Sequence, residues 1–121
     1  MKKVILITCT LFLTTISFCQ SKLNLSGQTF EKEKKNGTSS VKIEFKSNNV
    51  ANYIMSGTLY NGSAFRDVCP CSYSIIGTTI KIKCVCSDKE IYPDPIEHRF
   101  NYNNNTKNLE DLDYENIWRK N

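Results

Sequence analysis

The 121-residue chain contains a single histidine and a single tryptophan. One imidazole leaves a His-based triad with one candidate and a multi-histidine metal site with none. No serine stands in the Gly-x-Ser-x-Gly context of a nucleophile elbow. The longest uncharged, mostly apolar run, Val4–Phe18, is about 15 residues, short of the roughly 20 that cross a bilayer as a helix. An excess of one charge is also missing, because 16 Lys and Arg face 12 Asp and Glu. Lys32, Lys34 and Lys35 do cluster, but Glu31 and Glu33 interleave with them. They read as a solvated strand end, so the chain carries no nucleic-acid signature. The length fits one small domain and excludes multidomain machinery.

What is present begins with a leader. Met1-Lys2-Lys3, the apolar stretch and the polar turn at Gln20-Ser21-Lys22 have the layout of a secretory signal peptide. Ser17 and Cys19 put small residues at the positions a signal peptidase reads, so cleavage after Cys19 leaves Gln20 first. The competing lipoprotein reading would acylate Cys19, but it wants a small residue just before that cysteine, and Phe18 is not one. The expectation is a leader at 1–19 and one exported domain at 20–121, in the periplasm, at the cell surface or secreted. The leader removes two lysines and leaves 14 basic against 12 acidic residues. The mature chain can bury one thin core, and export makes disulfides available to support it.

Short alternating segments between Asn, Gly and Ser clusters fill residues 22–118, and none sustains a helical period. Val41, Ile43 and Phe45 alternate with Lys42, Glu44 and Lys46 before a turn at Ser47-Asn48-Asn49. A second strand is expected over Val50–Ser56, with Gly57 ending or bulging it. Asn61-Gly62 is a strong hairpin signal followed by a short arm. Pro93 and Pro95 mark a loop, His98–Tyr102 alternates, Asn103–Asn105 turns, and Leu109–Trp118 closes the chain. Seven or eight strands with nearest-neighbour hairpins predict an all-β fold, a small antiparallel up-and-down barrel in preference to a two-sheet sandwich.

The segment Cys69–Cys86 fixes its own register. Gly77-Thr78 fits a two-residue type II′ turn, which sets Ile75 opposite Ile80, Tyr73 opposite Ile82, Cys71 opposite Cys84 and Cys69 opposite Cys86. Both cysteine pairs then fall at non-hydrogen-bonded positions, where opposed Cα atoms approach to about 4.5 Å, within disulfide reach. The expected bonds are Cys71–Cys84 and Cys69–Cys86, with all four sulfurs on the core face. Stacked bridges are crowded, and Pro70 at a hydrogen-bonded position marks the arm as an edge or a bulge, so a single bond and the crossed pairing stay open. Two further chemistries compete: the same four cysteines as a thiolate site for zinc or copper(I), and a redox-active pair.

The remaining candidates have plainer readings. His98 reads as a surface or satisfied residue. Asp88, Glu90, Asp94 and Glu97 could offer oxygen ligands to calcium, but their spacing matches no calcium loop. Sequons at Asn24, Asn36, Asn61 and Asn104 would matter only in a eukaryotic secretory pathway, and the leader looks bacterial. Rings distributed over nearly every segment pack a core, or line a cavity if the barrel is hollow. Phe45, Tyr53, Tyr73, Ile75, Ile80 and Ile82 are the candidates for such a lining.

The sequences Leu25–Phe30, Val41–Val50 and Tyr73–Ile82, with the closing Ile117-Trp118-Arg119, resemble the small exported lipocalin-like proteins of Bacteroidetes type. Thr29 occupies the place where lipocalins carry tryptophan, two residues after Gly27, and the double Cys-x-Cys departs from the common pattern. The resemblance implies an up-and-down barrel and a prior for binding a small apolar molecule, and it transfers no catalytic residue. The expectation is therefore a non-enzymatic exported binding module for a small hydrophobic ligand or a protein partner, without cofactor, stapled in the 69–86 hairpin. A four-cysteine metal-binding protein is the alternative.

Overall fold

A computed structural model describes residues 22–34, 39–47 and 49–121. The expected leader, Cys19, Lys35, the Asn36 sequon and the middle of the 47–49 turn fall outside the described residues. Eight strands form among the described ones: β1 Thr29–Lys32, β2 Ser40–Phe45, β3 Val50–Thr58, β4 Ala64–Ile76, β5 Thr79–Cys84, β6 Ile96–Tyr102, β7 Leu109–Asp111 and β8 Ile117–Lys120. Each pairs antiparallel with its neighbour in sequence, and β1 pairs with β8, so the all-β chain closes into an up-and-down barrel of lipocalin-like architecture. Closure gives the short end strands β1 and β8 a partner on both sides, which an open sheet would deny them. No helix among the described residues is long and apolar enough to cross a membrane.

The period-two pattern sorts side chains to the two faces. Phe30, Ile43, Phe45, Ile80, Phe100, Leu109 and Trp118 are fully buried, while Lys81, Lys83 and Glu97 alternate outward. Full burial of one large apolar side chain is worth roughly 1.5–3 kcal/mol, so this ring cluster is the main source of stability. Phe45 meets Phe30 at 5.7 Å and Tyr73 at 4.9 Å between ring centroids, both edge to face, the arrangement the ring quadrupoles favour. The 22–28 segment seals this end of the barrel. Its Leu25 is buried, Gly27 N donates to Phe45 O, and Phe45 N donates to Gln28 O.

The cysteine hairpin has the expected register, with Cys71 opposite Cys84, Tyr73 opposite Ile82 and Ile75 opposite Ile80. Gly77 turns at φ 65°, the left-handed value the first position of a type II′ turn requires. Both disulfides are present, Cys69–Cys86 with Cα atoms 4.5 Å apart and Cys71–Cys84 at 4.0 Å. All four cysteines are buried on the core face.

Several expectations need correction. Gly57 neither ends nor bulges β3, since it lies within the strand opposite Phe65. The arm after Asn61-Gly62 is not short but the longest strand, the 13 residues of β4. Nor is that arm an edge strand: β4 pairs with β3 over Ala64–Ser72 and with β5 over Cys71–Ile76. Pro70 stands where the β5 ladder stops. It accepts from Val85 N at 3.1 Å and has no hydrogen to return. Leu109–Trp118 resolves into two strands, with a turn at 112–116.

Candidate functional site

An up-and-down order sends successive connections to alternate ends. The 59–63, 85–95 and 112–116 connections therefore share the end opposite the Leu25 seal, where β1 ends and β2 begins. Toward that end, below apolar Met55 and Ile96, four inward positions depart from the apolar core: Tyr53 on β3, Asp67 on β4, His98 on β6 and Asp111 on β7.

Three of these groups, Tyr53, His98 and Asp111, are linked. Asp111 is buried, and its Oδ2 lies 2.9 Å from His98 Nδ1. Its Oδ1 accepts from the backbone N–H groups of Asp113 and Tyr114 at 2.9 and 3.1 Å, which shapes the 112–116 turn. With Nδ1 donating to the carboxylate, a neutral imidazole leaves Nε2 as acceptor, and Tyr53 Oη stands 3.5 Å from it. The imidazole stacks between Tyr53 and Phe100, at 5.7 and 5.5 Å with interplanar angles of 18° and 11°. Tyr114 and Trp118 meet it edge-on at 5.5 and 5.8 Å. Beside this cluster Tyr92 Oη donates to Asp67 Oδ2 at 2.9 Å, pinning the 85–95 loop to β4.

Burial, and then the negative charge of Asp111, push the Tyr53 hydroxyl up to about 12. It therefore stays a neutral hydrogen-bond donor. Tyr92 is also pushed up, by burial and by the Asp67 carboxylate it donates to. On the outer wall the bidentate contact of Arg99 with Asp113, 2.7 Å at its shortest, holds the Asp113 carboxyl below its usual range. The buried Trp118 indole N–H has no hydrogen-bond partner among the described residues.

The loop tips differ from an ordinary solvated rim. Leu59 and Tyr60 in the 59–63 loop, Ile91 in 85–95, and Leu112 and Tyr114 in 112–116 are all exposed. Grooves over the outer wall include one of about 450 Å³ along Ser72, Ser74, Lys81, Lys83 and Arg99 and one of about 650 Å³ along Lys42, Glu44, Ser56 and Arg66. A further groove of about 370 Å³ lies beside the 22–26 segment, along Leu23, Leu25, Tyr73 and Ile75.

Among the sequence candidates, Phe45, Tyr53, Tyr73, Ile80 and Ile82 are buried on the inner face, with Ile75 packed against them. Only Tyr53 joins the polar cluster. The pairing of all four sulfurs in disulfides weighs against the four-thiolate metal reading. Among the described residues no group of three or more His, Cys, Asp or Glu is placed to hold a metal, which weighs against the calcium reading as well. Asp88 turns its Oδ1 to Glu90 N and Ile91 N at 3.1 and 3.2 Å, capping its own loop. Comparison with family models, curated proteins and solved structures returns no match.

The sequence reading missed Asp111, Asp67, Tyr92 and Tyr114. Asp111 left a trace, and so did the inward turn of His98. His98 shares the parity of Phe100 and Tyr102, and Asp111 shares that of Leu109, so simple alternation turns both toward the core.

Proposed function

We propose that residues 20–121, released from the 1–19 leader, form an exported, non-enzymatic binding module of the lipocalin-like Bacteroidetes type that recognises its ligand with the loop end of the barrel. One observation carries this reading: the two ends are built differently. The Leu25 end is sealed and filled with rings, whereas the loop end holds a hydrogen-bonded polar cluster under exposed apolar tips. A ring-packed interior shifts recognition from a swallowed hydrophobic molecule to a partner lying across the rim. The Asp111–His98 pair faces a phenol that remains protonated, which favours holding the 112–116 turn over activating a nucleophile. The buried disulfides suit a scaffold that must stay rigid outside the cell.

Site-specific photo-crosslinking in the exporting cell tests this reading. Crosslinkers at Tyr60 and Leu112 are expected to form adducts, and crosslinkers at Val50 and Ile76, near the opposite end, are not. Adducts at Val50 and Ile76 alone, or none at the rim, would overturn it. The intact mass of the exported protein reads the cleavage site, with Gln20 expected first.

A further inference from the structure

The loop end presents apolar side chains on turns that are already formed. Leu59 N donates to Ser63 O at 2.7 Å and Gly62 N to Leu59 O at 2.9 Å, holding the turn that carries Tyr60. The Asp88 and Asp111 carboxylates do the same for Ile91 and for Leu112. Val50 and Ile76 are also exposed at the opposite end, but five such side chains gather on the loop tips. Turns that are internally satisfied gain nothing by keeping Leu, Ile and Tyr in water, and a gathering of this kind is the mark of a contact surface.

Charge narrows the occupant. The 85–95 and 112–116 loops carry five carboxylates, Asp88, Glu90, Asp94, Asp113 and Glu115, against the single lysine Lys89. Only Asp113 of the five has an ion pair among the described residues, with Arg99. The connections at the sealed end, 22–28, 46–49, 77–78 and 103–108, carry Lys22, Lys46 and Lys107 and no carboxylate. Glu33 and Lys34, just past the end of β1, also stand at the loop end, with Glu33 paired to Arg119. Six carboxylates thus face Lys34 and Lys89 there among the described residues, and the barrel is polarised along its axis with most of its apolar tips at the negative pole.

We infer that the loop end docks a cationic, amphipathic polypeptide segment. Its apolar side chains meet Leu59, Tyr60, Ile91 and Leu112, and its Lys or Arg residues meet Glu90, Asp94 and Glu115. A polypeptide fits better than a small molecule because the tips belong to three separate hairpin connections around the mouth. This inference rests on the loop-end reading above and adds the chemistry of the partner. Long-range attraction to the negative pole speeds encounter and makes binding salt-dependent.

The test titrates isotope-labelled mature protein with a synthetic lysine–leucine amphipathic peptide and, separately, with its glutamate–leucine counterpart. The expected result is saturable amide shifts in 59–63, 85–95 and 112–116 for the lysine peptide alone, weakening about fivefold between roughly 0.01 and 0.15 M salt. The combined Leu59→Ser, Ile91→Ser and Leu112→Ser variant should bind at least about tenfold more weakly while still unfolding in one cooperative transition, since these side chains are about half exposed or more. Equal or tighter binding of the glutamate peptide at the same loops would overturn the cationic assignment and leave the loop-end reading standing. Shifts confined to the outer wall, or a rim variant that binds like the parent, would overturn both. Concentration-dependent shifts of the protein alone, linking these loops to the Lys22, Lys46 and Lys107 end, would make a second copy the occupant and overturn the polypeptide assignment.

Discussion

Oδ2 of Asp111 lies 2.9 Å from Nδ1 of His98, joining β7 to β6 inside the barrel. The register sets Phe100 opposite Asp111, so the carboxylate reaches diagonally to the imidazole two residues before Phe100. Its other oxygen organises the next turn. One side chain thus ties the polar floor of the loop end to the loop that presents Leu112 and Tyr114.

Removing that carboxylate should cost more than its size implies. Asp111→Ala would strand three donors, His98 Nδ1–H and the amides of Asp113 and Tyr114. Unmet buried donors cost about 1–3 kcal/mol each, less where water can enter, so a loss of about 3 kcal/mol in a urea titration is expected. Asp111→Asn keeps an acceptor for the two amides but presents N–H to Nδ1, and should lose about half as much. Equal stabilities for the two variants would show that the turn hydrogen bonds do not matter.

Alkaline pH should weaken the fold through Tyr53. Its hydroxyl titrates near 10 in the unfolded chain and at about 12 in the barrel, because burial and Asp111 disfavour the phenolate. Above pH 10 the unfolded chain sheds this proton while the native state keeps it. Native stability from this group is therefore complete below about pH 10 and falls progressively toward pH 12, by at most about 2–3 kcal/mol. Tyr53→Phe should flatten this part of the pH–stability curve relative to the parent. A parent and variant with parallel curves over that range would remove Tyr53 as the cause.

The two disulfides should behave as buried staples. Their sulfurs belong to cysteines that are all but inaccessible, so a small thiol reductant should reach them only when the barrel opens. Native protein is expected to release no thiol over a time that fully reduces urea-unfolded protein. Closing loops of 17 and 13 residues in sequence separation gives each bond about 3 kcal/mol in the chain-entropy account. The loops are nested, so removing both pairs should cost less than the sum of the single losses. Rapid native reduction would point to an open hairpin.

Legibility followed the range of the interactions. The 69–86 hairpin was readable because turn chemistry and cysteine positions report the same register independently, and hairpin succession then implied a barrel. Pro70 misled because its missing donor shows where one ladder stops, and the pairing of β4 with β3 on the other side is invisible to that signal. The polar cluster escaped for a similar reason. His98, Asp111 and Tyr53 come from three strands, and nothing local to any of them announces the other two, although parity along each strand turns them inward.

Gly57 shows the same limit and yields a test. A local reading takes a glycine at a strand end as a terminator, but its conformation here is not left-handed and any residue could adopt it. The reason for glycine is a neighbour. A Cβ at this position would stand 3.0 Å from Ser39 Oγ, 3.1 Å from Phe65 Cε1 and 3.1 Å from Ser39 Cα. Strand propensity alone would have Gly57→Ala stabilise by about 0.5–1 kcal/mol. The hydroxyl can rotate away, but the Ser39 backbone and the ring cannot, and overpacking costs about 1–3 kcal/mol. The steric effect wins, so Gly57→Ala should lose about 1 kcal/mol in a denaturant titration. Ser39→Gly in the same chain should restore only part of this loss, because the main chain at residue 39 still crowds the added methyl group. A Gly57→Ala variant more stable than the parent would mean that the 39–40 segment moves aside at no cost and that the close approach does not select glycine.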